Sequence, residues 1–177
     1  MGRMPLSGGL GFVFFNRVMS LTMLEAKTNG GIESAQRCAE TIEQWHRLID
    51  WARGTDPEPR ELSREDRRFL MQETDWPNDP DTSRLAESLE TQACEWPLSV
   101  EYRCGSWQLD PTSCAPDEFR ITICTGGPAV AVFGDIRCSG YPIDCELKGQ
   151  DWFTPWESVD CDSDALQWFA ELFIYDA

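Results

Sequence analysis

The chain has 177 residues, 41% of them hydrophobic, which is enough to build a core and excludes a disordered chain. It carries 31 acidic residues against 15 Lys and Arg, a net charge of −16, and the whole excess lies after residue 70. A field of this sign repels nucleic acid and membrane surfaces and attracts basic proteins, although acidity can also serve solubility alone.

The first 31 residues are expected to be poorly ordered or leader-like. Their apolar run, Leu10 to Phe15, is shorter than the roughly 7–15 residues of a signal peptide. No run in the chain approaches the roughly 18 apolar residues of a membrane helix. We therefore expect a cytoplasmic protein without a membrane partner.

Residues 32–93 are predicted to form a helical region. Apolar residues recur at helical spacing over 32–53, and Gly54 follows as a stop signal. Ser63 can cap a second helix that ends near Glu73. Thr82 or Ser83 can cap a third helix that ends near residue 93.

Residues 94–177 are predicted to form an acidic α+β domain. The period of the pattern changes to strict alternation, which is typical of half-buried strands. The four predicted strands are 98–104, 119–124, 129–136 and 143–149. Turn residues fill each gap, so we expect a mainly antiparallel sheet, and the final segment "DALQWFAELFIY" is predicted to be a helix packed on its apolar face. The fold class is therefore α+β, with N-terminal helices, a four-stranded sheet and a C-terminal helix.

The Gly-Gly pair in "CTGGPAVAV" is predicted to form a hairpin turn. A phosphate-binding loop needs a following Lys-Ser/Thr and the start of a helix. Here Gly126 and Gly127 precede Pro128 and a Val-rich strand. The glycines instead supply the positive φ that a tight hairpin requires.

The acidic and histidine motifs do not predict catalysis. Asp160, Asp162 and Asp164 match ligand positions of a calcium-binding loop, but Ala165 stands where that loop needs Gly. Asp162 or Ser163 is better explained as the cap of the final helix. The single histidine, at position 46, lies in the middle of a helix. We expect no catalytic residue, no metal and no cofactor, and therefore no enzyme.

The cysteines are expected to be thiols in a reducing cytosol. There are eight, without a C-x-x-C pair and with one histidine in the chain, which disfavours structural zinc. A zinc site and disulfides remain alternatives. The eight cysteines are Cys38, Cys94, Cys104, Cys114, Cys124, Cys138, Cys145 and Cys161.

The stretch "QDWFTPWES" has two interpretations. In the first it is a recognition loop, with Trp152, Phe153 and Trp156 as aromatic anchors and Asp151 and Glu157 at the rim. In the second it folds back over the sheet and buries the two tryptophans.

The segments "EWPLSVEYRCGSW", "EFRITICTGGPAVAVFGDI", "QDWFTPW" and "ALQWFAELFIY" resemble small acidic proteins of bacteriophages and mobile elements. The resemblance covers residues 94–175 in order, and it brings no assigned activity and no functional residues. Phe153 stands where a small residue is more usual. Mobile-element proteins of this kind often block host defences, some by imitating the charge of DNA.

The leading hypothesis is thus an inhibitor of host defence that a phage or mobile element encodes and that acts in the bacterial host cytoplasm. It would bind the basic surface of a nucleic-acid-binding host protein, a CRISPR effector or restriction enzyme, without contacting nucleic acid itself. The alternatives are a phage accessory or assembly protein that binds through its aromatic loop, and a metal-dependent enzyme. The predicted partner-binding residues are Glu101, Asp144, Glu146, Asp151, Trp152, Phe153, Trp156, Glu157, Asp160 and Asp162.

Overall fold

The computed structural model describes residues 30–55, 61–77, 81–104, 106–108 and 116–174. Within these ranges the chain forms four helices and six strands. All but the last two residues of the predicted leader-like segment lie outside the described residues.

The helices follow the predicted apolar periodicity. Ser63 caps the second helix, because its Oγ accepts the N–H of Asp66 at 3.0 Å, as expected. Asp81, rather than Thr82 or Ser83, caps the third, and its side chain accepts the N–H groups of Ser83 and Arg84. A carboxylate is a strong acceptor for these free amides. The helices are α1 (Gly30–Arg53), α2 (Arg64–Glu73), α3 (Thr82–Glu95) and α4 (Ser163–Glu171).

The strands form one sheet of order β2-β1-β3-β4-β5-β6, and every adjacent pair is antiparallel. The predicted α+β class is confirmed, with the four predicted strands at the centre of the sheet. Two edge strands of three residues each were not predicted, because three residues are too few for an alternating pattern. The strands are β1 (Ser99–Cys104), β2 (Ser106–Gln108), β3 (Glu118–Cys124), β4 (Ala129–Ile136), β5 (Pro142–Gln150) and β6 (Glu157–Val159).

One face of the sheet forms one side of the hydrophobic core. Phe119, Ile121, Val132 and Leu147 point to this face and are buried. Helices α1 and α4 pack on it, and α3 packs on α1. Burying such side chains stabilises the fold by roughly 1.5–3 kcal/mol each. The helical region and the acidic region, predicted as separate units, share this one hydrophobic cluster.

Helix α1 crosses the sheet at a pair of glycines. A β-carbon on Gly31 would lie 2.4 Å from the carbonyl carbon of Gln150, and one on Gly149 would lie 2.3 Å from the carbonyl oxygen of Gly31. The backbones of α1 and β5 therefore meet at a distance that only glycine permits. This contact places the start of α1 beside the turn that follows β5.

Candidate functional site

The turn after β5 presents two aromatic side chains to solvent. Trp152 is 63% exposed and Phe153 fully exposed. Five hydrogen bonds hold the turn. Trp152 N–H donates to Asp151 Oδ1, Asp151 N–H donates to Thr154 Oγ1, and Gln150 Nε2 donates to the Thr154 carbonyl. The N–H and Oγ1 of Thr154 both donate to the Asp151 carbonyl. Phe153 has φ +62°, a left-handed conformation that costs a bulky residue roughly 1–2 kcal/mol. The fold-back interpretation is therefore wrong for Trp152.

The Gly-Gly hairpin supports this turn. Gly126 and Gly127 have φ values of +105° and +68° between β3 and β4, so the predicted turn is confirmed. A β-carbon on Gly127 would lie 2.0 Å from Nε1 of Trp152. The indole of Trp152 thus rests on the glycine backbone. We call Asp151, Trp152, Phe153 and Thr154, together with this hairpin, the aromatic tip.

Trp156 takes part in a different structure, a row of rings on the outer face of the sheet. Its centroid lies 5.2 Å from that of Phe133, which in turn lies 6.3 Å from Trp107. Arg120 stands 4.8 Å over the ring of Trp107, and Lys148 stands 5.5 Å from that of Phe133. Cation–π contacts of this kind stabilise by about 0.5–1 kcal/mol at exposed sites. The fold-back interpretation holds for Trp156, which is half-buried.

Two of the predicted carboxylates on this outer face are neutralised by neighbours. Glu101 forms an ion pair with Arg120, and Glu146 forms one with Lys148 at 2.6 Å. Glu146 also accepts a hydrogen bond from Ser158. The bonds from Lys148 and Ser158 lower the pKa of Glu146. The outer face is thus a mixed surface of rings, cations and carboxylates.

The remaining predicted carboxylates are dispersed. Asp144 is exposed on β5, Glu157 is exposed on β6, and Asp160 is exposed between β6 and α4. Asp151 belongs to the aromatic tip. Asp162 lies two residues beyond Asp160, at the start of α4, where its side chain accepts the N–H groups of Asp164 and Ala165. The prediction that Asp162 or Ser163 caps this helix is confirmed for Asp162.

Asp162 borders a cleft of about 600 Å³ between α1, the start of α2 and the start of α4. Among the described residues that line it, the basic side chains are His46 and Arg47. Asp162 is tied to the opposite wall, because its N–H donates to Oε1 of Glu43 at 2.8 Å. We call this the acidic cleft. Its carboxylates are Glu43, Asp50, Glu61, Asp66, Asp162 and Asp164.

Asp66 is the buried member of this set. Its Oδ1 accepts hydrogen bonds from Arg47 at 2.7 Å and from Gln44 at 3.2 Å, and its Oδ2 accepts one from Ser63 at 2.7 Å. Burial raises the pKa of this carboxyl, but the bonds from Arg47, Ser63 and Gln44 outweigh burial and leave the pKa below its ordinary value. Arg47 is therefore engaged, which leaves the other carboxylates to define the potential of the cleft.

The sequence reasoning missed the carboxylates of α1 and α2, because residues 1–70 carry balanced charge and were treated as neutral. Glu43, His46 and Asp50 recur at helical spacing, which was a usable signal of one polar face. His46 lies 3.6 Å from Asp50, and its ring lies 5.5 Å from that of Trp168. Nothing local in the sequence indicates that this face meets the start of α4.

The cysteines differ in part from the prediction. Among the cysteines of the described ranges, six are free thiols, and burial raises the pKa of Cys38, Cys145 and Cys161 to about 12. Cys104 is disulfide-bonded, so the prediction of thiols throughout is wrong at this position. Cys114 lies outside the described residues. Within the described ranges, no three His, Cys, Asp or Glu side chains gather to hold a metal ion.

Comparisons with known proteins returned no relative. No family model, no curated protein and no solved structure matches the chain. In the described part of the chain, none of the helices is both long enough and apolar enough to cross a membrane.

Proposed function

We propose that this protein is encoded by a phage or mobile element and is a non-enzymatic inhibitor of a nucleic-acid-dependent host defence system. It would bind the basic surface of the defence protein, a CRISPR effector or a restriction enzyme. The observation that carries the proposal is the acidic cleft, in which six carboxylates from three helical segments face two basic side chains. The resemblance to acidic mobile-element proteins supplies the class of partner.

The electrostatics favour a basic partner. The net charge of −16 attracts such a surface over a distance of about 10 Å at 0.1 M salt and repels nucleic acid. In the cleft, the Asp162 N–H holds the Glu43 carboxylate across the walls, and the N–H groups of Asp164 and Ala165 hold the Asp162 carboxylate. Preplaced carboxylates lose little side-chain entropy when a lysine or arginine of the partner enters.

In the proposed mode of binding, the charge contact differs from the one expected from the sequence. Because Glu101 and Glu146 are paired with cations, we assign the charge contact to the acidic cleft and the adjacent exposed Asp160 rather than to the outer face of the sheet. The interaction is then a local contact between the cleft and basic side chains of the partner. It does not require carboxylates spaced like the phosphates of duplex DNA over a whole face of the sheet.

The test is capture of partners from a defence-competent bacterial lysate at low and high salt, followed by competition with DNA for the captured protein. A variant with Glu43→Gln, Asp162→Asn and Asp164→Asn removes three charges while Asn at 162 still caps α4. We expect it to lose most of the low-salt capture. A retained defence protein whose DNA is displaced by the wild type supports the proposal.

The matched control removes three charges elsewhere, with Glu87→Gln, Asp117→Asn and Asp135→Asn. None of these residues borders the cleft, and all three are exposed. Equal loss of capture in both triple variants would show that the negative charge acts as a non-specific field and that the cleft is not the contact site. Capture that does not respond to salt would contradict the proposal.

A second candidate function, an accessory or assembly protein that binds through the aromatic tip, is favoured by the exposure of Trp152 and Phe153. Such apolar anchors give binding that is insensitive to salt. A Phe153→Ala variant that abolishes capture at both salt concentrations would support this alternative over the first.

A further inference from the structure

A second cavity lies on the other side of α1, away from every residue discussed as a partner contact. It occupies about 460 Å³ between α1, α2 and α3, which is within the range of sites for small organic molecules. Three aromatic side chains line it, Trp45 from α1, Phe69 from α2 and Trp96 after α3. We call it the interhelical groove.

The aromatic wall of the groove is firmly packed. Trp45 and Trp96 meet edge to face with centroids 5.0 Å apart, and Trp96 lies 6.0 Å from Phe169 of the core. Trp45 itself is only 6% exposed. Rings fixed in this way offer a ready apolar surface, because little side-chain freedom remains to be lost when a ligand binds.

Trp45 also contributes a buried donor without an acceptor. Its Nε1 is inaccessible to water and has no hydrogen-bond partner in the described part of the chain. A buried unpaired donor is rare in folded proteins and calls for an explanation. The N–H of Trp45 therefore reports on its surroundings, and a ligand ring packed beside Trp45 and Trp96 should change its resonance.

The rim of the groove is suited to a cation. Glu73 is the last residue of α2, Glu95 is the last residue of α3, and both line the groove. Neither helix has a basic residue in its last turn, so no cation within either helix offsets the negative end of its dipole there. None of the described lining residues is basic. Gln92 Nε2 donates to the Glu73 carbonyl at 2.6 Å and ties the two helix ends together.

We infer that the interhelical groove binds a small organic cation with an aromatic or branched apolar body. The body packs against Trp45, Phe69 and Trp96, and the ammonium group lies between the carboxylates of Glu73 and Glu95. This site is independent of the proposed function, because the acidic cleft and the aromatic tip share no residue with it.

The test uses 2-phenylethylamine, with 2-phenylethanol and phenylacetate as probes of equal size that are neutral and anionic. Binding is followed by the indole ¹⁵N–¹H resonance of Trp45 in the full chain, assigned by its absence in Trp45→Phe. We expect the amine to shift this resonance, the alcohol to bind on the order of tenfold more weakly, and phenylacetate to have no effect.

The double variant Glu73→Gln, Glu95→Gln should remove the preference for the amine over the alcohol, whereas Glu87→Gln, on the exposed side of α3, should preserve it. Unchanged preference in the double variant would overturn the assignment of the charge. A Trp45 resonance that no probe moves would overturn the site.

Discussion

The indole of Trp152 lies on the backbone of Gly127, with Nε1 2.0 Å from the place of a β-carbon. A side chain at 127 and the observed position of Trp152 are therefore incompatible. This relationship couples the Gly-Gly hairpin between β3 and β4 to the orientation of the aromatic tip. The hairpin glycines thus shape a surface as well as a turn.

Gly127→Ala should displace the exposed indole of Trp152 and lower the free energy of unfolding by about 1–2 kcal/mol through left-handed strain, with a further small loss from the displaced contact. Gly54→Ala is the matched control, because Gly54 has the same φ of +68° with no atom within 4 Å of its added β-carbon. Urea unfolding should show the larger loss for Gly127→Ala. Equal losses of unfolding free energy in the two variants would mean that backbone strain alone, without displacement of Trp152, destabilises Gly127→Ala.

Phe153 has a strained backbone conformation and a side chain that makes no buried contacts. A pair of substitutions can measure the two effects separately. Phe153→Ala should leave stability within about 0.5 kcal/mol of the wild type, because the side chain is fully exposed. Phe153→Gly should be more stable than Phe153→Ala by about 1 kcal/mol, because glycine adopts the observed φ of +62° without penalty. Thermal unfolding of the two variants provides the comparison. An alanine variant as stable as the glycine variant would contradict the strain at this position.

Asp66 should make stability depend on acid pH. Its pKa in the folded state lies below the ordinary 3.8, so the folded protein binds fewer protons there than the unfolded chain. The stabilisation is complete above about pH 5 and is lost as pH falls through the folded pKa. Asp66→Asn should cost about 1–3 kcal/mol at pH 7 in urea unfolding, and the difference should shrink towards pH 3.

Glu65→Gln, an exposed neighbour on α2, controls for the change of net charge in that experiment and should have little effect at either pH. A cost for Asp66→Asn that stays constant between pH 7 and pH 3 would show that the charge of Asp66 does not contribute to stability.

Gly30 and Gly31 are adjacent in sequence but differ in their surroundings. Gly31→Ala places a β-carbon 2.4 Å from the backbone of β5, and should destabilise by about 1–3 kcal/mol or more. Gly30→Ala meets only Asp151 Oδ2 at 3.7 Å and should be neutral or slightly stabilising. Denaturant midpoints of the two variants measure the difference. Similar midpoints would show that α1 can move away from β5 at little cost.

The sequence by itself determined the elements. Helical and alternating periods in α1 and β3 reflect which side chains must leave water, and that requirement repeats along the chain. The Ser63 and Asp162 caps were predictable, because a cap satisfies amides within three residues of itself. The short strands β2 and β6 were not, since each depends on pairing with a neighbour rather than on a pattern of its own.

Tertiary structure alone decided which charges meet. Arg120 neutralises Glu101 because β1 and β3 pair in that register, and Glu43 meets Asp162 although 119 residues separate them. Likewise, the exposure of Phe153 depends on hydrogen bonds within its turn and on a glycine from another hairpin. Local sequence sets which residues are polar, but potentials, clefts and exposed anchors arise from contacts between distant segments, and these are fixed only when the whole core assembles.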